Sequence, residues 1–208
     1  MFTGLVRSVG TVLECSKSGD GVDLRVQLGL GDWRPPIGAS IALSGVCCTV
    51  VEEGGGQALF HLSAETIRRT WLGAAAAGNR LNIEPALCAG DPLGGHIVQG
   101  HVDSVGRIDV PIDPQAGGEL WVEVPDDLRR FCVEKGSITV EGVSLTIAAL
   151  DGPRVMIAVI PHTAQVTTLG SAPAGAPVHL EVDVLGKYVE RLLEARFGPA
   201  GAPAAAPS

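Results

Sequence analysis

The 208-residue chain carries one series of sequence blocks twice, the second copy following the first at an offset of 96 to 97 residues. Gly4-Leu-Val-Arg-Ser-Val-Gly10 returns as Gly100-His-Val-Asp-Ser-Val-Gly106. Ser40-Ile-Ala-Leu-Ser-Gly45-Val-Cys47-Cys-Thr49-Val50 returns as Ser137-Ile-Thr-Val-Glu-Gly142-Val-Ser144-Leu-Thr146-Ile147. Glu65-Thr66 with Thr70-Trp-Leu-Gly73 returns as His162-Thr163 with Thr167-Thr-Leu-Gly170, and Leu81-Asn-Ile-Glu84 as Val178-His-Leu-Glu181. Blocks kept in order at a nearly constant offset mean two copies of one domain, each of about a hundred residues and each with its own modest core. Two copies of one pocket imply two copies of one ligand.

Aromatic residues make up only 4% of the chain, so packing must rest on Val, Leu, Ile and Ala. That supply suits sheets better than aromatic-centred helices. Asp23–Leu28 and Leu120–Val124 alternate with period two, as half-buried strands do, and Gly54–Gly56 and Asp151–Pro153 are matching turns. Several short strands per hundred residues predict an all-β chain with one small closed barrel per copy. Short helical turns are expected at Ala64–Leu72 and Thr163–Leu169. One longer helix is expected at residues 185–197, where Leu185, Tyr188, Val189, Leu192 and Leu193 make an apolar stripe. That stripe serves either its own barrel or an oligomer contact. The domains then run 1–97 and 98–184, followed by the helix and a low-complexity tail, 198–208, expected to be disordered.

A net charge of −8 and the absence of a basic, aromatic-laced stripe argue against a nucleic-acid partner. The chain shows neither a signal-peptide pattern nor an apolar run of membrane-spanning length, which predicts a soluble cytoplasmic protein. The five cysteines are odd in number and form no C-x-x-C pair, so free thiols are expected. The spacing of His96 and His101 fits no standard zinc pattern, and no metal site is assigned.

Ser40 and Ser137, Thr49 and Thr146, Thr66 and Thr163, and Glu84 and Glu181 recur at equivalent places. A strand hydroxyl is most often a satisfied local hydrogen bonder, so recurrence alone identifies no chemistry. More telling are the mismatches: Cys47 corresponds to Ser144, Leu5 to His101, Ser44 to Glu141 and Glu65 to His162. Divergence in nucleophile and acid/base types points to two pockets that hold one ligand in different roles. Cys47 and Cys48 are adjacent on an expected strand, so only one of them can face a given pocket.

Taken together, Met1-Phe-Thr-Gly4, the block from Ser40 to Val50, Gly94-Gly-His-Ile-Val-Gln-Gly-His-Val-Asp103, the block from Gly136 to Thr146, Ile160-Pro-His-Thr163 and Val182-Asp-Val-Leu-Gly-Lys-Tyr-Val-Glu-Arg-Leu192 resemble the riboflavin synthases of the alpha-chain type. The resemblance implies two six-stranded Greek-key barrels and a C-terminal helix that packs in a homotrimer. It implies a transferase without a separate cofactor, in which two molecules of 6,7-dimethyl-8-ribityllumazine yield riboflavin and 5-amino-6-ribitylaminouracil. One lumazine site would use Phe2, Thr3, Gly4, Ser40, Cys47, Thr49, Ala64, Thr66 and His101. The other would use Ser144, Thr146, Ile160, Thr163 and Asp183 of a neighbouring chain. Catalytic roles would fall to Cys47, His101, Ser40 and Ser144, and lumazine synthase is a possible partner.

Against the family's pattern, Cys48 and Ser44 stand where Leu and Asn are usual, and Trp71 replaces a common Asn; Ser44 is expected near the pocket. The main rival is a non-catalytic lumazine- or flavin-binding fluorescent protein that keeps the barrels and loses turnover. A flavin-binding barrel of a reductase would need a nucleotide domain for which the chain has no room.

Overall fold

In a computed structural model, which describes residues 1–198, the duplication resolves into two closed antiparallel barrels of six strands each. The first is built from β1 (Ser8–Ser18), β2 (Gly21–Gln27), β3 (Ser40–Leu43), β4 (Val46–Gly54), β5 (Gln57–Leu62) and β6 (Arg80–Pro85), closed in the Greek-key order β1-β2-β5-β4-β3-β6. The second repeats that order with β7 (Ser104–Val110), β8 (Gly118–Glu123), β9 (Ser137–Val140), β10 (Val143–Asp151), β11 (Arg154–Val159) and β12 (Pro177–Val182). Closure leaves no free sheet edge in either half.

Each barrel fills its interior with mainly aliphatic side chains at alternate strand positions. Leu24, Val26, Ile41, Leu43, Phe60, Leu81 and Ile83 pack in the first, and Leu120, Val122, Ile138, Val140, Ile157, Val178 and Leu180 in the second. Register shifts in β1, β4, β7 and β10 fall at matching places in the two repeats, and such bulges supply the bend that a small barrel needs.

Helices are few and short. The expected turn over Ala64–Leu72 is two pieces: α1 (Ala64–Arg69), then a 3₁₀ turn (Trp71–Ala74), separated by extended Thr70. Its counterpart starts earlier than expected, because Pro161 suits a first helical turn; α3 (Pro161–Val166) is followed by extended Thr167 and a second 3₁₀ turn (Thr168–Ser171). A further short helix, α2 (Asp126–Arg129), lies between β8 and β9. The last helix, α4 (Val184–Phe197), begins one residue before the expected start because Asp183 caps it, its side chain accepting from Leu185 N–H at 3.0 Å. The expected tail lies outside the described residues beyond Gly198.

The stripe on α4 does not pack on its own barrel. Leu185, Tyr188, Val189, Leu192 and Phe197 are all more than half exposed, and only Val184 is buried.

The barrels meet through reciprocal contacts between equivalent residues of the two repeats. The β3–β4 and β9–β10 hairpins touch at their tips, where Ser44-Gly45 and Glu141-Gly142 all have positive φ, as a type I′ turn requires. A Cβ on Gly45 would lie 2.8 Å from Gly142 N, and one on Gly142 would lie 2.6 Å from Gly45 N. Ser44, which the sequence suggests as a polar side chain beside the pocket, is instead fully buried between the barrels. Trp71 also lies at this interface, its ring stacked on His179 with centroids 5.0 Å apart.

Candidate active site

The same arrangement positions the polar blocks. Strands β6 and β12 each carry a buried carboxylate near their ends, and each holds the segment that leads into its own repeat. Glu84 accepts from Thr3 N–H at 2.7 Å, from the Thr3 hydroxyl at 2.8 Å and from Gly4 N–H at 3.0 Å. Glu181 accepts from Gln99 N–H at 2.7 Å and Gly100 N–H at 2.9 Å. Burial pushes both carboxyl groups above their ordinary range, and the backbone donors oppose that push.

Held this way, each leading segment lies against the other barrel. The carbonyl of Gly4 accepts from Ser144 N–H on β10 at 2.8 Å, and that of Gly100 accepts from Cys47 N–H on β4 at 2.9 Å. Phe2 and Val98 exchange backbone hydrogen bonds between the two segments at 2.7 and 3.2 Å. Gly4 and Gly100 have φ of +75° and +77°, and a Cβ there would lie 2.6 Å from the Ser144 Cβ or 2.7 Å from the Cys47 Cβ. Glycine is demanded by both conformation and proximity.

Around Cys47 is a cavity of about 470 Å³, lined by Cys47, Glu65, Thr66, Gln99, His101 and Lys187 among others. Along β4, Val46, Cys48 and Val50 turn into the core, so Cys47 and Thr49 lie on the outer face, where Thr49 pairs with Ser40 and Cys47 with Ala42. Burial drives the Cys48 thiol far above its ordinary range. Phe2 is fully buried beside Cys47, Ala42 and Val98. Ala64 opens α1, and Thr66 follows with its N–H donated to the Ser63 hydroxyl at 3.3 Å. His101 reaches this cavity from the second repeat and is exposed at its rim.

The matching place on the second barrel centres on Ser144. Its hydroxyl lies 2.7 Å from His96 Nδ1, and His96 Nε2 lies 3.2 Å from the Thr139 hydroxyl. Burial lowers the proton affinity of His96, while Asp183 nearby acts in the opposite sense. Thr146 lies two residues along the same face, paired with Ser137; Thr163 is half-buried on α3 and Ile160 is exposed before it. Gly95 has no room for a side chain, since a Cβ would lie 2.1 Å from the Thr3 carbonyl.

Two placements were not legible in the sequence. Thr3 and Gly4 are grouped there with Cys47, but they lie with Ser144, while Phe2 stays beside Cys47. Repeat alignment shows which positions are equivalent, not which barrel a connecting segment crosses to. The sequence sets His96 beside His101 as an imidazole suited to proton transfer and not to a metal, but gives no partner for it; the structure places it against Ser144.

A larger groove of about 640 Å³ runs along α4 and is mainly apolar, with Phe131, Val133, Leu185, Val189, Leu193 and Phe197 in its lining. Of the candidate site residues it reaches Asp183, beside Ser137. The two polar places offer the same frame with different groups: a thiol near an imidazole in one, a hydroxyl bonded to an imidazole in the other. Such sets suit proton transfer at a polarised ligand.

Comparison with known proteins agrees with this geometry. The lumazine binding domain family matches residues 3–86 and 99–183, one match per barrel. The chain is 43% identical over 197 residues to riboflavin synthase of Mycobacterium tuberculosis, covering 93% of this chain and 98% of that one. It is 38% identical over 199 residues to riboflavin synthase of Photobacterium phosphoreum, covering 93% and 89%. Over 194 residues it is 35% identical to riboflavin synthase of Bacillus subtilis, covering 93% and 90%. The fold is shared with LumP in its complex with riboflavin, at a TM-score of 0.80 and 24% identity over 88% of this chain and 99% of that one. Matched along nearly its whole length and in both of its barrels, the chain belongs to the riboflavin synthase family of lumazine-binding proteins.

Proposed function

We propose that this protein is a riboflavin synthase that converts two molecules of 6,7-dimethyl-8-ribityllumazine into riboflavin and 5-amino-6-ribitylaminouracil by transfer of a four-carbon unit. The observation that carries this reading is the pairing of Cys47 with Ser144 at equivalent strand positions, each under the leading segment of the opposite repeat. A reaction between two identical molecules used differently needs two similar frames with different groups in them.

The chemistry asks for a positioned base, because the 7-methyl carbanion of lumazine is delocalised into the ring. The Ser144 hydroxyl and neutral His96 form a couple suited to proton transfer at the second barrel. His101 and Cys47 serve the first, the imidazole handling a proton and the thiol or a water beside it activating C7 of the acceptor. Bringing two ring systems together supplies much of the acceleration through orientation, on the order of several kcal/mol.

The reaction needs both pockets to face one another. The exposed stripe of α4 supports a homotrimer in which the Cys47 pocket of one chain meets the Ser144 pocket of its neighbour. Leu185→Glu with Leu192→Glu is expected to yield a folded monomer without turnover, read by sedimentation and riboflavin formation.

The deciding experiment incubates the purified protein with the lumazine alone. Riboflavin and the pyrimidine in equal amounts are expected; tight binding without either product would replace this reading with that of a non-catalytic binding protein.

A further inference from the structure

We infer that Lys187 is a positioning residue for His101: it neutralises the neighbouring carboxylates of Asp103 and Glu181, and so holds residues 99–103 of the second repeat over the Cys47 pocket of the first barrel. The inference deepens the reading above and rests on it.

Lys187 lies in the first half of α4, and its Nζ donates to Asp103 Oδ1 at 2.6 Å. The other oxygen of Asp103 accepts from Val182 N–H at 3.0 Å, while Asp103 N–H donates to the Leu180 carbonyl at 2.9 Å. At the other end of the segment, Glu181 holds Gln99 and Gly100. His101 is thus carried on a short stretch tied down at both ends by carboxylates. Lys187 favours ionised Glu181 and Asp103 disfavours it, so the cation balances two acids that repel each other. Both members of the ion pair are partly shielded from water, with side-chain exposures of 30% for Lys187 and 19% for Asp103. Lys187, Asp103, His101 and Cys47 all line the same cavity. Across it, Glu65 and Arg69 pair with one another at 3.1 Å.

The first repeat shows that barrel formation does not need this clamp. Arg7, the equivalent of Asp103, donates its N–H to the Ile83 carbonyl at 2.8 Å in the same way, yet its side chain is exposed. No helix like α4 follows β6. The clamp exists only on the segment that carries an imidazole, where the first repeat has Leu5.

The test compares Lys187→Met, Lys187→Arg and the double variant Lys187→Met with Asp103→Asn. Lys187→Met is expected to lower kcat/KM about fivefold, the scale of a partly shielded ion pair, and to move the acid limb of its pH profile upward. The arginine variant should stay near wild type. In the double variant the carboxamide oxygen can still accept from Val182 N–H, and removal of the second charge should restore most of the loss. A simple loss of packing on α4 would not be restored that way.

Amide exchange at Gln99, Gly100 and Cys47 gives a readout independent of turnover: it should quicken in Lys187→Met and slow again in the double variant. Unchanged exchange in Lys187→Met, or a double variant no better than that single one, would overturn the inference. A wild-type protein that forms no riboflavin would overturn the proposed function instead, and amide exchange would still decide the role of Lys187.

Discussion

Asn82 and His179 occupy equivalent positions in the two repeats and make the same pair of hydrogen bonds, each reaching into the opposite barrel. Asn82 donates to the Glu141 carbonyl at 2.8 Å and accepts from Thr168 N–H at 2.8 Å. His179 lies 2.9 Å from the Ser44 carbonyl through Nδ1 and accepts from Trp71 N–H at 3.1 Å through Nε2. Because Nε2 must accept, the proton is on Nδ1 and the ring is neutral. Glu141 completes the contact, taking Trp71 Nε1–H at 2.9 Å and His179 N–H at 2.7 Å.

This neutral, buried imidazole makes the barrel interface acid-sensitive. Burial lowers the proton affinity of His179, with Glu141 and the Ser44 carbonyl opposing. The unfolded chain therefore binds a proton that the native one refuses, so stability falls as pH drops below the ordinary histidine range, by up to about 1.4 kcal/mol per pH unit for one such group. His179→Asn supplies the group the first repeat already uses, and its urea midpoint should vary less between pH 5 and 7 than that of wild type. An equal slope in both proteins would remove His179 as the cause.

The two tip glycines, Gly45 and Gly142, should tolerate no side chain. Gly142→Ala adds a Cβ against the Gly45 backbone at a positive φ, and is expected to cost about 2 to 4 kcal/mol, within the range of strain and overpacking effects. Gly152→Ala, at a positive φ with nothing within 4 Å, isolates the conformational part and should cost less. Chemical denaturation of the two variants checks the difference.

Thiol labelling should separate the adjacent cysteines. Cys47 and exposed Cys88 are expected to react in the native protein, while Cys48 and Cys132 wait for unfolding. Burial raises both of the latter thiols, that of Cys132 to about 11. Added 6,7-dimethyl-8-ribityllumazine should slow Cys47 and leave Cys88 unchanged; equal protection of both would place the ligand elsewhere.

Ser144 and His96 should behave as one unit. Ser144→Ala and His96→Gln are each expected to lower turnover about a hundredfold, and the double variant little further, because either change breaks the same proton path. Effects that multiply in the double variant would show independent roles.

Much of the architecture is written locally. The alternation in Asp23–Leu28 and Leu120–Val124, the turns at Gly54–Gly56 and Asp151–Pro153 and the apolar stripe of α4 are nearest-neighbour patterns, and the repeat doubles the weight of the strand and turn signals because they must serve the same topology twice. That Cys47 faces outward and Cys48 inward follows once β4 is placed, since strand side chains alternate.

The sequence by itself determined two like barrels, the strand positions of Cys47 and Ser144 and a terminal helix with an apolar face. Only the tertiary structure decided that Gly4 rests on Ser144, that Gly100 rests on Cys47, that His96 joins the serine and that Lys187 ties α4 to the segment bearing His101. These contacts join residues far apart in the chain through backbone groups and buried carboxylates. They depend on how two finished barrels dock, and no local periodicity encodes that.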